Sequence, residues 1–305
     1  MTPSFQIPEL PALPDTVSAG KIYFQDTGRL RHRACPICKK DHPVEVVKRP
    51  DQIIIHVCGN CGMTYLAKVP DAAQLNAFYH GYANRKYHAS EPKTVGLRLK
   101  ALRNPHISIL EQTGGIHGQS ICEVGCSFGT FLEYVRARRG YPHGVEIDQT
   151  ARQVLVKKRI PASEILPGQI DFDVICAFDL LEHLVDPGEM IQTISDNLKQ
   201  DGRLLLSVPN GNEIEQTGLT WIGFRVDLEH LNYFRLEDIT RILARYDLYV
   251  EQYWEKGQPY LPRTSKAGIS EKFRNFTLLK RIEKKWRDYT FPKGKFQLTI
   301  LARKA

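Results

Sequence analysis

The sequence has no apolar run approaching the roughly 18 residues of a membrane-spanning helix, and no internal repeat. Its first residues, MTPSFQIPELPALPDT, have prolines where a signal peptide needs an unbroken apolar core. We therefore expect a cytoplasmic protein, and leave open a peripheral contact with a membrane surface. The 305 residues, 42% hydrophobic and 25% charged, suit an ordinary globular chain with one large domain and one smaller domain.

The seven cysteines fall into two groups. Cys122, Cys126 and Cys176 lie inside apolar runs, where cysteine usually serves as a small core residue. The other four form two Cys-x-x-Cys pairs with nineteen residues between them, and the intervening QIIIHV predicts a strand that returns to the site. Four thiolates at this spacing predict a structural zinc ribbon, with no position left open for substrate; a redox pair or loose thiols are the alternatives. The predicted ligands are Cys35, Cys38, Cys58 and Cys61.

The chain divides into four predicted parts. Residues 1–30 are a proline-punctuated extension, 31–69 the zinc ribbon, 70–118 a helical connector, and 119–305 the main domain. Tyr79, Tyr82 and Tyr87 of the connector line a cleft or pack onto the main domain. In the main domain, short apolar runs such as SICEV, DFDVICAF and GRLLLSV alternate with helical segments, which predicts a doubly wound, mainly parallel sheet.

The loop EVGCSFG after the first of these strands lacks the third glycine of a dinucleotide-binding turn. Gly125 and Gly129 permit a turn, but the loop is wider and carries side chains. The free N–H groups of the following helix favour an anionic group, so we expect a bulky ligand that presents a carboxylate there. Glu146, about twenty residues later, is placed to accept from the hydroxyls of a ribose. These two features alone leave an ordinary dinucleotide site open.

The motifs EVGCSFGTFL, GVEID, FDVICAFDLLEHLVDP and LKQDGRLLLSVPN, in this order, resemble the class I S-adenosylmethionine-dependent methyltransferases. The resemblance covers residues 119 to 305 and implies an α/β, Rossmann-like fold with seven strands, the last antiparallel. It implies cofactor contacts from Glu123, Gly125, Cys126, Ser127 and Gly129 at the methionine end, Glu146 with Ile147 at the ribose, Ser163 and Glu164 near the adenine, and Ala177 and Phe178 behind the sulfonium. Many members of this class have Gly or Ala at the position of Cys126.

A four-cysteine ribbon joined to this domain resembles the bacterial zinc-ribbon methyltransferases that act on sugars. In their C-methylating members, a Tyr-x-Glu-His stretch supplies acid–base groups. Here VDLEHLNYF keeps Glu229 and His230 and has Asp227 in place of the tyrosine. The chain also ends without the further C-terminal domain of those enzymes. Both departures favour O-methylation of a sugar hydroxyl over C-methylation, which stays the alternative.

Removal of a hydroxyl proton needs a base near neutral pH, for which histidine is suited. His230, with Glu229 and Asp227 beside it, is the expected base, and His183 of DLLEH is the second candidate; both residues can instead orient loops. Asp179, Glu182 and His183 also fall at i, i+3 and i+4, where they could hold a divalent cation.

A basic segment carries the positive charge of the chain. Residues 255–295 contain twelve Lys or Arg and four acidic residues, an excess equal to the formal net charge of +8. Within it, Phe276, Leu279, Ile282, Trp286 and Tyr289 recur along one helical face. This insertion is interpreted either as a cap that attracts a phosphate-bearing glycan or an anionic membrane, or as a helix packed on the sheet edge.

An RNA methyltransferase is the main rival interpretation, because ribbon, methyltransferase core and basic segment occur together in such enzymes. Two features favour a sugar or glycan acceptor over nucleic acid. Asn/Asp-Pro-Pro-aromatic, common in nucleic-acid amino-methyltransferases, is replaced by AFDLLEH, and the basic residues are confined to one insertion. A non-enzymatic cofactor-binding scaffold is the third interpretation, which the polar groups on the acceptor side disfavour.

Overall fold

The computed structural model describes residues 7–10, 30–80, 82, 104–168, 171–225, 228–256 and 295–305. Most of the predicted N-terminal extension lies outside these residues, as do Tyr87, Asp227 and the amphipathic segment 276–289 of the basic insertion.

A seven-stranded sheet forms the centre of the main domain. Its strands are β6 (Ser120–Val124), β7 (Tyr141–Val145), β8 (Ala162–Ser163), β9 (Phe172–Phe178), β10 (Leu198–Pro209), β12 (Leu248–Lys256) and β13 (Gln297–Lys304). The spatial order is β12-β13-β10-β9-β6-β7-β8, and β13 runs antiparallel to both neighbours. The predicted mainly parallel sheet with an antiparallel last strand is therefore confirmed. Strands β6, β9 and β10 are almost wholly buried, as expected for strands covered on both faces.

The described helices begin and end where local sequence signals place them. They are α1 (Ala72–Tyr79), α2 (Pro105–Thr113), α3 (Thr130–Ala137), α4 (Gln149–Lys157), α5 (Pro187–Asp196), α6 (Glu213–Thr217) and α7 (Leu236–Leu243). The side chains of Asn104, Asp148 and Asp186 accept from backbone N–H groups at the first turns of α2, α4 and α5. Such caps satisfy donors that have no partner within the helix.

The four-cysteine module is built from short strands. These are β1 (Arg31–His32), β2 (Pro43–Lys48), β3 (Ile54–Cys58), β4 (Thr64–Tyr65) and β5 (Lys68–Val69). Strand β11 (Asn232–Tyr233), from the predicted main domain, pairs with β4, so that one sheet has the order β11-β4-β3-β2. The N-terminal module and the segment after Glu229–His230 thus share a sheet, which the sequence did not indicate.

No helix among the described residues has the length and apolar character needed to cross a bilayer.

Candidate active site

A large cavity opens where the parallel strands end. Its described lining includes residues that follow β6, β7, β8 and β9, together with His183, His230 and side chains from α1 and α5. This is where ligands bind in doubly wound sheets. Its volume of about 1080 Å³ is slightly above the roughly 300–1,000 Å³ of typical small-molecule sites.

The loop after β6 forms a tight, left-handed path into α3. Gly125, Ser127 and Gly129 all have positive φ, at 74°, 48° and 70°. At Gly129 a Cβ atom would lie 2.3 Å from a methyl group of Leu155, so glycine is required by both conformation and space. The loop closes over the end of β7, where the N–H groups of Gly125 and Cys126 both donate to the carbonyl of Val145.

Cys126 is a core residue within this loop. Burial raises the pKa of its thiol, with added repulsion from Glu123 and Glu146, so the thiol stays neutral. A Cβ at Gly144 would lie 2.7 Å from the Cys126 sulfur, so Gly144 provides the room that the larger side chain needs. The departure from Gly or Ala at this position is thus accommodated by packing.

Glu146 is held rigidly at the mouth of the cavity. One carboxylate oxygen accepts from the N–H of Ser127 at 2.8 Å and the other from the N–H of Asp148 at 2.9 Å. These bonds tie the carboxylate to the glycine loop and to the start of α4. Each oxygen retains a lone pair, so the group can still accept from ligand hydroxyls.

Glu123 lies at the inner end of the same region. Burial, and then the negative charge of Glu146, raise the pKa of Glu123 well above its ordinary value. Its Oε2 atom is buried and has no hydrogen-bond partner among the described residues. A buried carboxylate oxygen left in this way favours a cationic ligand group that supplies the missing charge and hydrogen bond.

The remaining predicted cofactor residues divide between the cavity and its surroundings. Those that line it are Ser127, Ile147, Glu164 and Phe178. The ring of His106 stacks on the ring of Phe178, with 3.9 Å between the ring centroids, and so holds it in place. Burial lowers the pKa of His106 to about 4. Gly129, Ser163 and Ala177 lie outside the described lining; the Ser163 hydroxyl contacts His143 and donates to the carbonyl of Ile165.

Three side chains meet at the cavity wall: His183 and His230 line the cavity, and the buried Glu182 lies outside its described lining. Ligand atoms of Glu182, His183 and His230 all lie within 4.8 Å of one another, and Nε2 of His230 is 4.0 Å from Oε1 of Glu182. Hydrogen bonds between two segments, one from the backbone of Leu231 and two from the side-chain amide of Asn232, bring them together. The N–H of Leu231 donates to the carbonyl of Glu182, and the Asn232 amide donates to the carbonyls of Leu181 and Leu184. We call Glu182, His183 and His230 the acceptor-side cluster.

Glu229 supports this cluster from behind. It is buried, lies outside the described cavity lining, and accepts a 2.8 Å hydrogen bond from the hydroxyl of Tyr82. Tyr79 lines the cavity and its ring meets His183 edge-on. Two of the three predicted connector tyrosines are thus at the site, and each contacts a predicted catalytic residue.

The structure changes the cation set that the sequence suggested. Asp179 has a positive φ of 49° and lies before the short 3-10 turn Leu181–His183, so DLLEH is not one continuous helical turn. Asp179 instead faces Ser207 and Gln297, which donate to its Oδ1 atom. The groups that do come together are Glu182 and His183 with His230, a residue 47 positions later in the sequence.

The charge of the cavity is markedly acidic. Its described lining includes six carboxylates, on Glu123, Glu146, Glu164, Asp179, Asp186 and Glu189, and has neither lysine nor arginine. A positively charged ligand is therefore favoured in this part of the cavity, and any cation that binds an acceptor phosphate must come from residues beyond the described lining.

The four N-terminal cysteines form a second cluster, away from the cavity. All four sulfurs lie within 4.8 Å of one another, with 3.6 Å between Cys35 and Cys61 and 3.5 Å between Cys38 and Cys58. Tetrahedral zinc with bonds of about 2.3 Å places its sulfurs roughly 3.8 Å apart. The arrangement of the donors thus fits a zinc ion.

Sequence reasoning missed the side chains that join the cysteine module to the acceptor-side cluster. Arg33 donates to the carbonyls of Leu66, Val185 and Leu231 and to the amide oxygen of Asn232. Arg49 makes a comparable set of contacts from the turn between β2 and β3. An isolated arginine in a basic sequence carries no pattern that marks it as buried.

Comparison with known proteins identifies the family. A family model described as a methyltransferase domain matches residues 90–253, more than half of the chain. The chain therefore belongs to this methyltransferase family, in agreement with the sheet topology.

Individual relatives are distant. The chain is 25% identical over 124 residues to the ubiquinone biosynthesis O-methyltransferase of Pseudomonas paraeruginosa (strain DSM 24068 / PA7), covering 36% of this chain and 53% of that protein. The protein of the same name from Salmonella paratyphi A is 23% identical over 146 residues, covering 44% and 57%. The chain thus spans about half the length of these curated relatives. The magnesium protoporphyrin IX methyltransferase of Synechocystis PCC 6803 aligns with a TM-score of 0.49 at 13% identity, covering 77% of this chain and 100% of that one.

Proposed function

We propose that the protein transfers a methyl group from S-adenosylmethionine to a hydroxyl group of a sugar, either nucleotide-linked or part of a glycan. The observation that carries the proposal is a cavity lined by two chemically different sets of side chains. One set is the carboxylates of Glu123 and Glu146, and the other is the imidazoles of His183 and His230 from the acceptor-side cluster. Membership of the methyltransferase family supports the reaction class.

The cofactor side suits the charge and shape of S-adenosylmethionine. Glu146 would accept from the ribose hydroxyls, and Glu123 would meet the ammonium group of the methionine part. The first turn of α3 presents free N–H groups to the carboxylate. When bound, the sulfonium supplies an activated methyl group, so the protein needs only to orient the acceptor and accept its proton.

His230 is the proposed base. S-adenosylmethionine held beside Glu123 and Glu146 would supply the methyl group to the acceptor oxygen and would leave as its neutral thioether. The hydroxyl proton passes to the imidazole of His230, next to the carboxylate of Glu182, which stabilises the imidazolium. His183 borders the same space and orients the acceptor.

The four cysteines are proposed to hold a structural zinc ion. With four thiolate ligands the coordination is complete, so the ion would take no part in methyl transfer. The buried cluster is part of the core that joins the module to the main domain.

An anionic group on the acceptor would be bound by the basic segment 255–295. Twelve cationic side chains there could bind a phosphate of a nucleotide sugar or lipid-linked glycan, or an anionic membrane surface. The described cavity lining contains no lysine or arginine, and this segment is the proposed source of such a cation.

The test is an acceptor panel with isotope-labelled cofactor. Purified protein is incubated with nucleotide sugars, glycans, tRNA and rRNA, and products are identified by mass spectrometry. A labelled methyl ether on a sugar hydroxyl supports the proposal. Methyl groups on RNA, or on a sugar carbon, would replace it with one of the rival activities. Chelator treatment of the same reactions shows whether the acceptor-side cluster works with a divalent cation instead of a histidine that accepts the proton.

A further inference from the structure

Arg49 is a buried arginine at the tip of the hairpin between β2 and β3. Only 1% of the residue is exposed. It belongs to the four-cysteine module, yet it lies against a loop that follows it by about 180 residues. A guanidinium in this position needs all its donors satisfied, because an unpaired buried donor is costly.

Its five N–H donors are all used. Nε and Nη2 bind the two oxygens of Asp51, at 3.0 and 2.5 Å. The second Nη2 donor reaches the carbonyl of Leu228 at 2.6 Å. Nη1 donates to the carbonyl of His230 at 2.7 Å and to the hydroxyl of Tyr233 at 3.0 Å. A planar guanidinium can make these contacts simultaneously, whereas an ammonium cannot.

The two carbonyls bracket Glu229 and His230. The backbone of both residues is therefore fixed on each side by one rigid group, and Asp51 fixes the rotation of that group. Strand β11, immediately after the loop, pairs with β4 of the same module, and the N–H of Leu66 donates to the carbonyl of Leu231. The N-terminal module thus holds the loop at three consecutive points.

We propose that Arg49 is a positioning residue for methyl transfer: it sets the backbone of residues 228–230, and through it the place of the His230 imidazole over the acceptor. The four-cysteine module then contributes to catalysis by supporting this loop, in addition to its own folding. The role of Arg49 in methyl transfer rests on the proposed function. Its role in fixing the backbone of residues 228–230 does not.

The first test needs no acceptor. Hydrogen exchange is measured by mass spectrometry in wild type, Arg49→Lys and Lys39→Gln. Lys39 is the matched control, because its exposed ion pair with Asp186 also joins the module to the main domain but involves no residue of 228–234. Arg49→Lys is expected to speed exchange in 228–234 and 181–185 and leave the strands β6 and β9 unchanged. Lys39→Gln should leave 228–234 at the wild-type rate.

Unchanged exchange at 228–234 in Arg49→Lys would overturn the inference, as would a uniform increase across the chain. If Arg49→Lys does not fold, Asp51→Asn replaces it. That variant keeps the guanidinium and weakens the group that orients it, so a smaller increase confined to the same loop is expected. An unchanged loop in Asp51→Asn contradicts the inference equally.

The second test uses the acceptor found in the panel. Arg49→Lys should lower kcat by roughly 10- to 100-fold, the cost of a small misplacement of a catalytic group, with calorimetric affinity for S-adenosylmethionine unchanged. In a His230→Ala background, the same substitution should cost less than about twofold, because the group it positions is gone. If Arg49→Lys lowers kcat by the same factor in the His230→Ala background as in wild type, Arg49 does not act through His230 and its role is purely structural. If no acceptor is methylated, the proposed function fails while the exchange result stands.

Discussion

At the scale of single residues, the site depends on two carboxylates in different environments. Glu146 accepts two backbone hydrogen bonds at the edge of the cavity, whereas Glu123 is buried with an oxygen that lacks a hydrogen-bond partner among the described residues. The carboxylate of Glu146 can therefore accept from neutral hydroxyls, whereas the ionised form of Glu123 would be favoured by a cationic ligand. This difference makes the cofactor side testable through pH.

Binding of S-adenosylmethionine should tighten as pH rises from mildly acidic towards neutral. Burial and Glu146 raise the pKa of Glu123, so the unliganded carboxyl keeps its proton above the ordinary range of a glutamate. A cationic ligand needs the ionised form, so binding releases that proton and is favoured at higher pH. Calorimetry of Glu123→Gln should show weaker binding with this dependence removed. Glu164→Gln, a change at an exposed carboxylate of the same cavity, should keep the pH dependence of binding. If Glu123→Gln shows the same pH dependence as wild type, Glu123 is not the group that releases the proton.

His230→Ala should reduce turnover by roughly 10²-fold or more and leave cofactor affinity nearly intact. The reason is that His230 borders the acceptor side of the cavity, apart from Glu123 and Glu146. Steady-state kinetics and calorimetry measure the two effects separately. If His183→Ala alone gives this pattern, the base has been assigned to the wrong histidine.

At the scale of elements, the loop between β6 and α3 combines left-handed backbone with tight packing. A non-glycine residue in the left-handed region costs about 1–3 kcal/mol. Gly129→Ala should lower the free energy of unfolding by more than this conformational cost alone, because the new Cβ atom would also overlap Leu155. Gly115→Ala is the matched control: its φ is 79°, with open space around it, so it incurs the conformational cost alone. Denaturant unfolding measures both, and equal losses would show that Leu155 moves aside freely.

The sequence predicted the sheet well because buried parallel strands and capped helices leave strong local patterns. SICEV and GRLLLSV lie within strands, as does DFDVICAF apart from its first residue, and the end of each strand gives the place of the cavity. DLLEH was predicted as a helical turn, which was wrong, because the left-handed conformation of Asp179 has no clear signal in an Asp-Leu pair. Strand β11 has two residues, too few for a periodic pattern, so its pairing with the cysteine module could not be foreseen.

At the scale of the whole molecule, the cysteine module and the main domain are joined by a shared sheet and by the side chains of Arg33 and Arg49. We expect one zinc ion per chain in protein purified without chelator. Cys58→Ser should lose both the metal and soluble yield, because the cluster forms part of the common core. Cys122→Ala, at a buried cysteine outside the cluster, should retain the metal. Elemental analysis measures the zinc content of each variant. A fully folded wild type without zinc would contradict the assignment of the four cysteines as zinc ligands.

The most direct test of the account is calorimetric titration of S-adenosylmethionine into wild type and Glu146→Ala, with His230→Ala as control. The account predicts saturable binding to wild type and to His230→Ala. It predicts a loss of about 1–3 kcal/mol, roughly 5- to 150-fold in Kd, for Glu146→Ala, whose removal leaves the ribose hydroxyls without their acceptor. Equal affinity in Glu146→Ala and wild type, or no binding to wild type, would contradict the central claim that this cavity is the cofactor site.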